Sequence, residues 1–330
     1  MDKSEKLYNE KIDQVIWKTI VSDTVTPISI LMRLENHSNC FLLESVEGGT
    51  KRGRYSIVGM KPDLWWKSDG NKAFIKSKWT SGFKKENQGA FKSLKNLIDC
   101  SHIDLPPYLP RMSAGIFGYI GYDNVRLIED INELSKTNGD FPDSLLMRPS
   151  LIIVFDNLKD ELSVVYSLRH NPNQKYQEAL TEANATIEFV LDLLKKPFNE
   201  THVPIKQKKI DISSNTTKND YLKMVESAKN YIYEGDIFQV VLSQRFKSNF
   251  ELPPFELYRS LRRINPSPFL FYLNFDEFTV IGSSPEILIR LFGDEITVRP
   301  IAGTRPRGKD QAEDNNNRDS LLSDPKELAE

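Results

Sequence analysis

Cysteine is scarce in this 330-residue chain, which carries only Cys40 and Cys100. Two cysteines cannot build a disulfide scaffold or a four-cysteine zinc site, and such usage suits a reducing cytoplasm. Histidine is also rare: His37, His102, His170 and His202 stand apart in polar or turn-like contexts. None has a neighbour at metal-ligand or triad spacing. Long apolar runs are missing. The greasiest segment, Leu151 to Phe155, is of strand length and bounded by Pro149 and Asp156, whereas a membrane span needs roughly 18 apolar residues. The charged N-terminus, Met1 to Lys6, leads into no apolar stretch, so no secretory signal is expected. An excess of one charge is lacking too, with 44 Lys and Arg against 46 Asp and Glu. That balance gives no global pull toward nucleic acid or an anionic membrane, and neither is expected as a partner. Apolar residues, by contrast, make up 39%, enough for a real core, which excludes a disordered chain. The length sets a prior of about two domains.

The composition shifts once. From Lys195 to Asp220 the chain is polar and poor in periodic apolar residues, the best place for a linker. Before it, Phe41 to Leu43, Arg54 to Val58, Asp63 to Ser68, Lys72 to Ile75, Leu151 to Phe155 and Leu162 to Tyr166 read as strands. Asp69-Gly70 between two of them suits a type I′ hairpin turn. Tyr176, Leu180, Ala183, Ile187, Val190, Leu191 and Leu194 recur at helical spacing. After the linker, Thr217 and Asp220 resemble a capping box, Tyr221, Val225, Ala228 and Ile232 form a stripe, and Gly235 sits at a helix stop. Ile237 to Phe246 reads as a strand and Pro254 to Ile264 as a helix. Two hairpins follow, over Asp276-Glu277 and Gly293-Asp294. Antiparallel hairpins in both halves, without strict βαβ alternation, predict an α+β fold.

Four segments bear on chemistry. Gly115, Gly118 and Gly121 mimic a phosphate loop but lack its Gly-x-Gly opening and terminal Lys-Ser/Thr, so close-packed strand glycines are the better reading. Gly235 to Gln244 places amides, an acid and a hydroxyl in a strand that otherwise looks buried. Gly282-Ser283-Ser284-Pro285-Glu286 ends a strand in small polar residues and a carboxylate. Arg299 to Gly308 is a rigid, donor-rich loop suited to a carboxylate ligand.

Together with Leu42-Leu43-Glu44-Ser45, Gly118 to Asp123, Asn265-Pro266-Ser267-Pro268 and Pro300 to Gly308, these segments resemble the anthranilate synthase component I family of chorismate-utilising enzymes. The resemblance runs from about Thr26 to the last residue. It implies antiparallel sheets with flanking helices in a two-layered sandwich. It also implies a lead-in over 1–25, a regulatory domain over 26–196, a linker over 197–216 and the N-terminal portion of the catalytic domain over 217–330. The implied reaction takes chorismate and ammonia to anthranilate and pyruvate with Mg²⁺, in L-tryptophan biosynthesis. By resemblance Glu286 is the general acid at the departing C4 hydroxyl, Gly303 and Thr304 contact substrate, and Glu327 with Glu330 forms one carboxylate pair for the metal. Glu44 and Ser45, with Pro266, Phe269 and Leu270 as a second wall, match the site for the inhibitor tryptophan.

Two positions discriminate among relatives. Gln239 stands where water-using relatives carry a lysine base, which argues for ammonia. Ala302 stands where aminodeoxychorismate synthases often carry a lysine that attacks the ring. No Gly-x-Cys-x-Gly nucleophile is present, since the cysteines sit in Asn39-Cys40-Phe41 and Asp99-Cys100-Ser101. Glutamine as nitrogen source therefore implies a separate glutamine amidotransferase subunit. The family's second carboxylate pair and its catalytic His, with the substrate-holding Arg and Tyr, fall beyond residue 330. The expectation for the 330-residue polypeptide alone is no measurable turnover. Two alternatives stay open: aminodeoxychorismate synthase component I, or an inactive product keeping only a tryptophan-binding module.

Overall fold

The computed structural model describes residues 3–34, 38–47, 51–131, 141–196, 211–298 and 303–329. Helix α1 (Lys3–Asn9) leads to β1 (Gln14–Val21), α2 (Pro27–Arg33) and β2 (Cys40–Glu44). The two-residue strands β3 (Val46–Glu47) and β4 (Lys51–Arg52) precede the long β5 (Tyr55–Asp69), then β6 (Lys72–Ser77), β7 (Lys84–Gly89) and α3 (Ala90–Ser101). Strands β8 (Phe117–Ile120), β9 (Ser144–Asp156) and β10 (Glu161–Leu168) and helix α4 (Tyr176–Lys195) follow. Beyond them lie β11 (Ile212–Ser214), α5 (Lys218–Glu234), β12 (Phe246–Ser248) and α6 (Pro254–Ile264). The chain continues with β13 (Phe269–Asn274), β14 (Thr279–Ser284), β15 (Arg290–Phe292), β16 (Glu295–Thr297), α7 (Gln311–Leu322) and α8 (Pro325–Ala329). Two compact units result: residues 1–198 with 257–330, and residues 199–256.

The first unit is organised on a ten-stranded sheet in the order β1-β10-β9-β5-β2-β13-β14, with β6 and β7 added beside β5 and β8 beside β9. Every pairing in it is antiparallel, so the α+β expectation holds. The longest strands change neighbours halfway along. Pro62 of β5 lies opposite Pro149 of β9, and the register shifts between Pro62 and Leu64. Neither proline can donate to the ladder, and Lys61 beside them has φ of 51°. On one side of this kink β5 pairs with β2, and on the other with β6. Likewise β9 pairs with β10 through Leu151–Asp156 and with β8 through Ser144–Met147.

Each face of the sheet closes on apolar side chains. Trp66, Ala73 and Leu146 are buried with Ala90 and Leu97 of α3, and the Trp66 indole N–H donates to Ser93 Oγ at 2.9 Å. Phe41, Ile57, Met147, Ile152, Val154 and Leu273 form a second cluster. Helix α4 packs on β10 and β1 through a stripe that includes Tyr176, Ala183, Ile187, Val190 and Leu191, as its periodicity predicts. Two half-buried arginines are matched by carboxylates: Arg148 forks onto Asp63 at 2.8 Å through Nε and Nη2, and Arg169 reaches Asp13 at 2.6 Å.

The hairpins sit where the turn residues predict them. Gly70, Asp276 and Gly293 adopt positive φ. The glycine spacing around Gly118 is a packing feature, because a Cβ there would run into the backbone of Leu145 and Leu146 on β9. One expectation needs correction. The run Ile237 to Phe246 is irregular except at its end, where β12 begins at Phe246. A strand needs a hydrogen-bonding neighbour, and among the described residues only β11 offers one, over Phe246–Ser248. The polar stretch expected as a linker over 197–216 contains that neighbour, Ile212–Ser214; residues 197–210 lie outside the described residues. β13 lies beside β2, so the sheet takes strands from both sides of residues 197–216.

The second unit holds β11, β12 and α5. Thr217 caps α5 by accepting the Asp220 N–H, and Gly235 ends it in the left-handed conformation at φ 82°. Of the predicted stripe on α5, Ala228 is buried while Ile232 is exposed.

Candidate functional site

Strand β2 is Cys-Phe-Leu-Leu-Glu: four apolar residues and then a carboxylate. Pairing with β5 on one side and β13 on the other makes β2 an interior strand, so Glu44 is carried into the sheet with its side chain 4% exposed. A carboxylate so placed requires counter-charge and donors. Helix α6 supplies both, because Tyr258 and Arg262 are four residues apart and share a face. Arg262 grips the carboxylate as a fork, Nε to Oε2 at 2.8 Å and Nη2 to Oε1 at 3.1 Å. The Tyr258 hydroxyl donates to Oε2 at 2.7 Å. Burial, and then the adjacent Glu44 charge, push the Tyr258 hydroxyl pKa far above its usual value. A carboxylate offers about four acceptor positions; among the described residues three are taken, two on Oε2 and one on Oε1.

The other expected members of this site lie close in register. Leu270, buried, is directly opposite Glu44. Phe269 begins β13 and is 38% exposed, and Pro266 lies in the connection from α6 to β13. Ser45, half-buried, accepts the Gly53 N–H at 2.7 Å through its carbonyl. Sequence reasoning missed Tyr258 and Arg262. The signal was there in the Tyr-x-x-x-Arg spacing of an amphipathic helix, but nothing local ties it to a strand residue 218 positions earlier.

The donor-rich loop and the last helix also meet. The Gly303 N–H donates to Glu327 Oε2, and a Cβ at Gly303 would meet that carboxylate and push the Glu327 side chain aside. Arg305 binds Asp324 at 2.7 Å and stands 3.9 Å from Glu327 Oε1. Thr304 is exposed. The expected substrate loop and one expected metal ligand are therefore neighbours, while Glu330 and Ala302 lie outside the described residues. Among the described residues no group of three or more His, Cys, Asp or Glu gathers as a ligand set. Mg²⁺ demands an octahedron of oxygens, and Glu327 faces N–H donors instead. As arranged, the described residues do not fit the ion, and no chemical step is derived through it.

Glu286 and Gln239 are both exposed. The Glu286 N–H is held by Ser284 Oγ at 3.3 Å, which fixes the backbone of the turn and leaves the carboxylate in water. A general acid must be held against its leaving group, and nothing described around Glu286 does this. An open cavity of about 670 Å³, lined by Ile98, His102, Leu105, Arg111 and Ile116 among others, includes none of the expected site residues. His102 pairs with the exposed Asp104, and His170 contacts the Tyr8 carbonyl; neither joins a catalytic cluster.

An antiparallel sheet that draws strands from both halves of the sequence, with a buried acidic residue clamped by a helix from the second half, defines a mixed architecture of helices and antiparallel sheet. The profile of the chorismate binding enzyme family matches residues 38–330, and the chain belongs to that family. It is 43% identical over 323 residues to the anthranilate synthase component 1 of Cereibacter sphaeroides, covering 96% of this chain and 65% of that protein. It is 39% identical to the anthranilate synthase component 1 of Acetivibrio thermocellus, covering 94% of this chain and 64% of that protein. The crystal structure of anthranilate synthase component I from Streptococcus pneumoniae superposes with a TM-score of 0.67 at 26% identity, over 94% of this chain and 65% of that one. The chain thus spans slightly less than two thirds of the relatives it matches. Among the described residues no helix is long and apolar enough to cross a membrane.

Proposed function

We propose that the protein serves in anthranilate formation, joining chorismate and ammonia to give anthranilate, pyruvate and water within cytoplasmic L-tryptophan biosynthesis. The observation that carries this reading is the family match over residues 38–330 together with the two component 1 relatives. In the proposal Glu286 protonates the departing hydroxyl, Gln239 leaves ammonia as the nucleophile, and Gly303 with Thr304 holds substrate. Mg²⁺ is the proposed cofactor; Glu327 would turn from the Gly303 N–H that it accepts here to join Glu330 among its carboxylates. Ammonia comes from glutamine through a separate amidotransferase subunit, a reading supported by the name component 1 that the relatives carry.

Regulation belongs to the same proposal. Glu44 on β2, held by Arg262 and Tyr258, receives the ammonium group of L-tryptophan, with Ser45, Pro266, Phe269 and Leu270 forming the surrounding wall. This arrangement supports an effector role because an anionic acceptor in an apolar setting pairs strongly with a cationic amine.

The test uses a chimera in which this chain is continued by the remaining third of the Cereibacter sphaeroides relative. Chorismate, ammonium and Mg²⁺ should yield fluorescent anthranilate. Activity should vanish in Glu286→Gln and on chelation of the metal. A chimera that folds and forms aminodeoxychorismate, or uses glutamine without a second subunit, contradicts the reading. The 330-residue polypeptide alone should show no turnover, since Glu286 and Gln239 are both exposed in the described structure.

A further inference from the structure

Between residues 67 and 95 the chain carries eight lysines against two carboxylates, Asp69 and Glu86, although the whole chain has a net charge of −2. Register gathers part of this charge on one face. Lys67 lies opposite Phe74, Lys76 opposite Trp65, and Lys85 opposite Phe74 on its other side. Directly opposed residues share a face of the sheet. The alternate residues Trp66 and Ala73 point the other way, into the core with α3. The lysines are held in place as well as collected. Lys67 Nζ stands 4.4 Å from the Phe83 ring centroid and 5.6 Å from that of Phe74. Lys76 Nζ stands 5.0 Å from Trp65 and 6.0 Å from Phe83. Cation–π contact limits the freedom of a side chain that is ordinarily flexible. Among the described residues, the one ion pair made by these eight lysines joins Lys78 to Glu182 at 3.6 Å.

We infer that this face of β5, β6 and β7 docks the acidic surface of a protein partner. Charge complementarity chooses the occupant: a local excess of ordered cations on a near-neutral molecule steers and registers carboxylates. Single-stranded nucleic acid is the poorer match, because it needs bare rings on which bases can stack. Here the rings of Trp65, Phe74 and Phe83 already carry lysine ammoniums.

The experiment titrates labelled poly-L-glutamate into the 330-residue chain by fluorescence anisotropy, then couples bound peptide carboxylates to lysines with a carbodiimide and maps the products. Binding should weaken at least tenfold as salt rises from about 0.01 M to about 0.1 M, as the screening length falls from about 30 to about 10 Å. Cross-links should fall on Lys67, Lys72, Lys76 and Lys85. The variant Lys67→Gln/Lys76→Gln/Lys85→Gln should lose at least about tenfold in affinity, while Lys159→Gln/Lys229→Gln should not change it. Should the triple variant fail to fold, Lys85→Gln alone, on an exposed position of β7, should weaken binding about twofold. Unchanged affinity in the foldable variants, cross-links confined to other lysines, or tighter binding of oligo(dT) that displaces the peptide would each overturn the inference.

Discussion

Glu44 is a charged residue on an otherwise apolar interior strand, and its surroundings decide what its removal does. Arg262 is largely buried beside it, with its side chain 21% exposed. Glu44→Ala therefore leaves a guanidinium without its partner and should cost about 3 kcal/mol of stability, measured by chemical denaturation. Ser45→Ala removes one hydroxyl from the residue that follows Glu44 and should leave stability within about 0.5 kcal/mol. In the active chimera both substitutions should raise the tryptophan concentration needed for inhibition by about 5- to 150-fold, a coupling of roughly 1–3 kcal/mol. Unchanged inhibition in both would remove the effector assignment. The cysteines give a second residue-level test. Burial pushes the Cys40 thiol from its ordinary 9.0 up to about 12, whereas Cys100 is exposed. A raised thiol pKa favours the folded state below pH 9, and that contribution is lost as pH climbs from 9 toward 12. Iodoacetamide at pH 8 should label Cys100 in the native protein and Cys40 only after denaturation. Glu44 and Ser45 were singled out through the Leu-Leu-Glu-Ser resemblance. Arg262 and Tyr258 were not, because the contact that gives them meaning joins distant parts of the chain.

At the scale of elements, legibility followed locality. The hairpin at Asp69-Gly70, the α4 stripe and the Gly235 cap each depend on neighbours within a few residues, and each formed as read, while Thr217 caps α5 through its side chain without the reciprocal Asp220 bond of a full box. The irregular run from Ile237 failed for the opposite reason, since a strand exists only with a partner that local pattern does not specify. The exchange of partners at Pro62 and Pro149 was invisible in either segment alone and needs their opposition in the register. The packed glycine offers the element-level prediction. Gly118 has φ of 154°, and an added Cβ would meet the Leu145 carbonyl and the Leu146 Cα. Gly118→Ala should lift β8 off β9 and destabilise the protein by about 2–3 kcal/mol. Hydrogen exchange should show the loss of protection concentrated in β8 and the Ser144–Met147 part of β9. A variant as stable as the parent would mean that β8 is not packed as described.

The molecule as a whole joins two stretches of sequence that composition would keep apart. β13 enters the sheet beside β2, and α6 reaches back to Glu44, so an effector held there would touch both halves of the sequence. That is the physical basis for expecting binding at Glu44 to be felt by residues that follow β13, including Glu286. It also explains why the two sets of expected residues differ in state. The Glu44 clamp is closed by contacts among the described residues, whereas Glu286 and Gln239 are exposed and Glu327 is tied to Gly303. The most direct test is a calorimetric titration of L-tryptophan into the 330-residue chain and into its Ser45→Ala and Glu44→Gln variants. One saturable site, weakened at least about fivefold in both variants, is the predicted result. No binding by the folded parent chain, or binding that both variants leave unchanged, would contradict it.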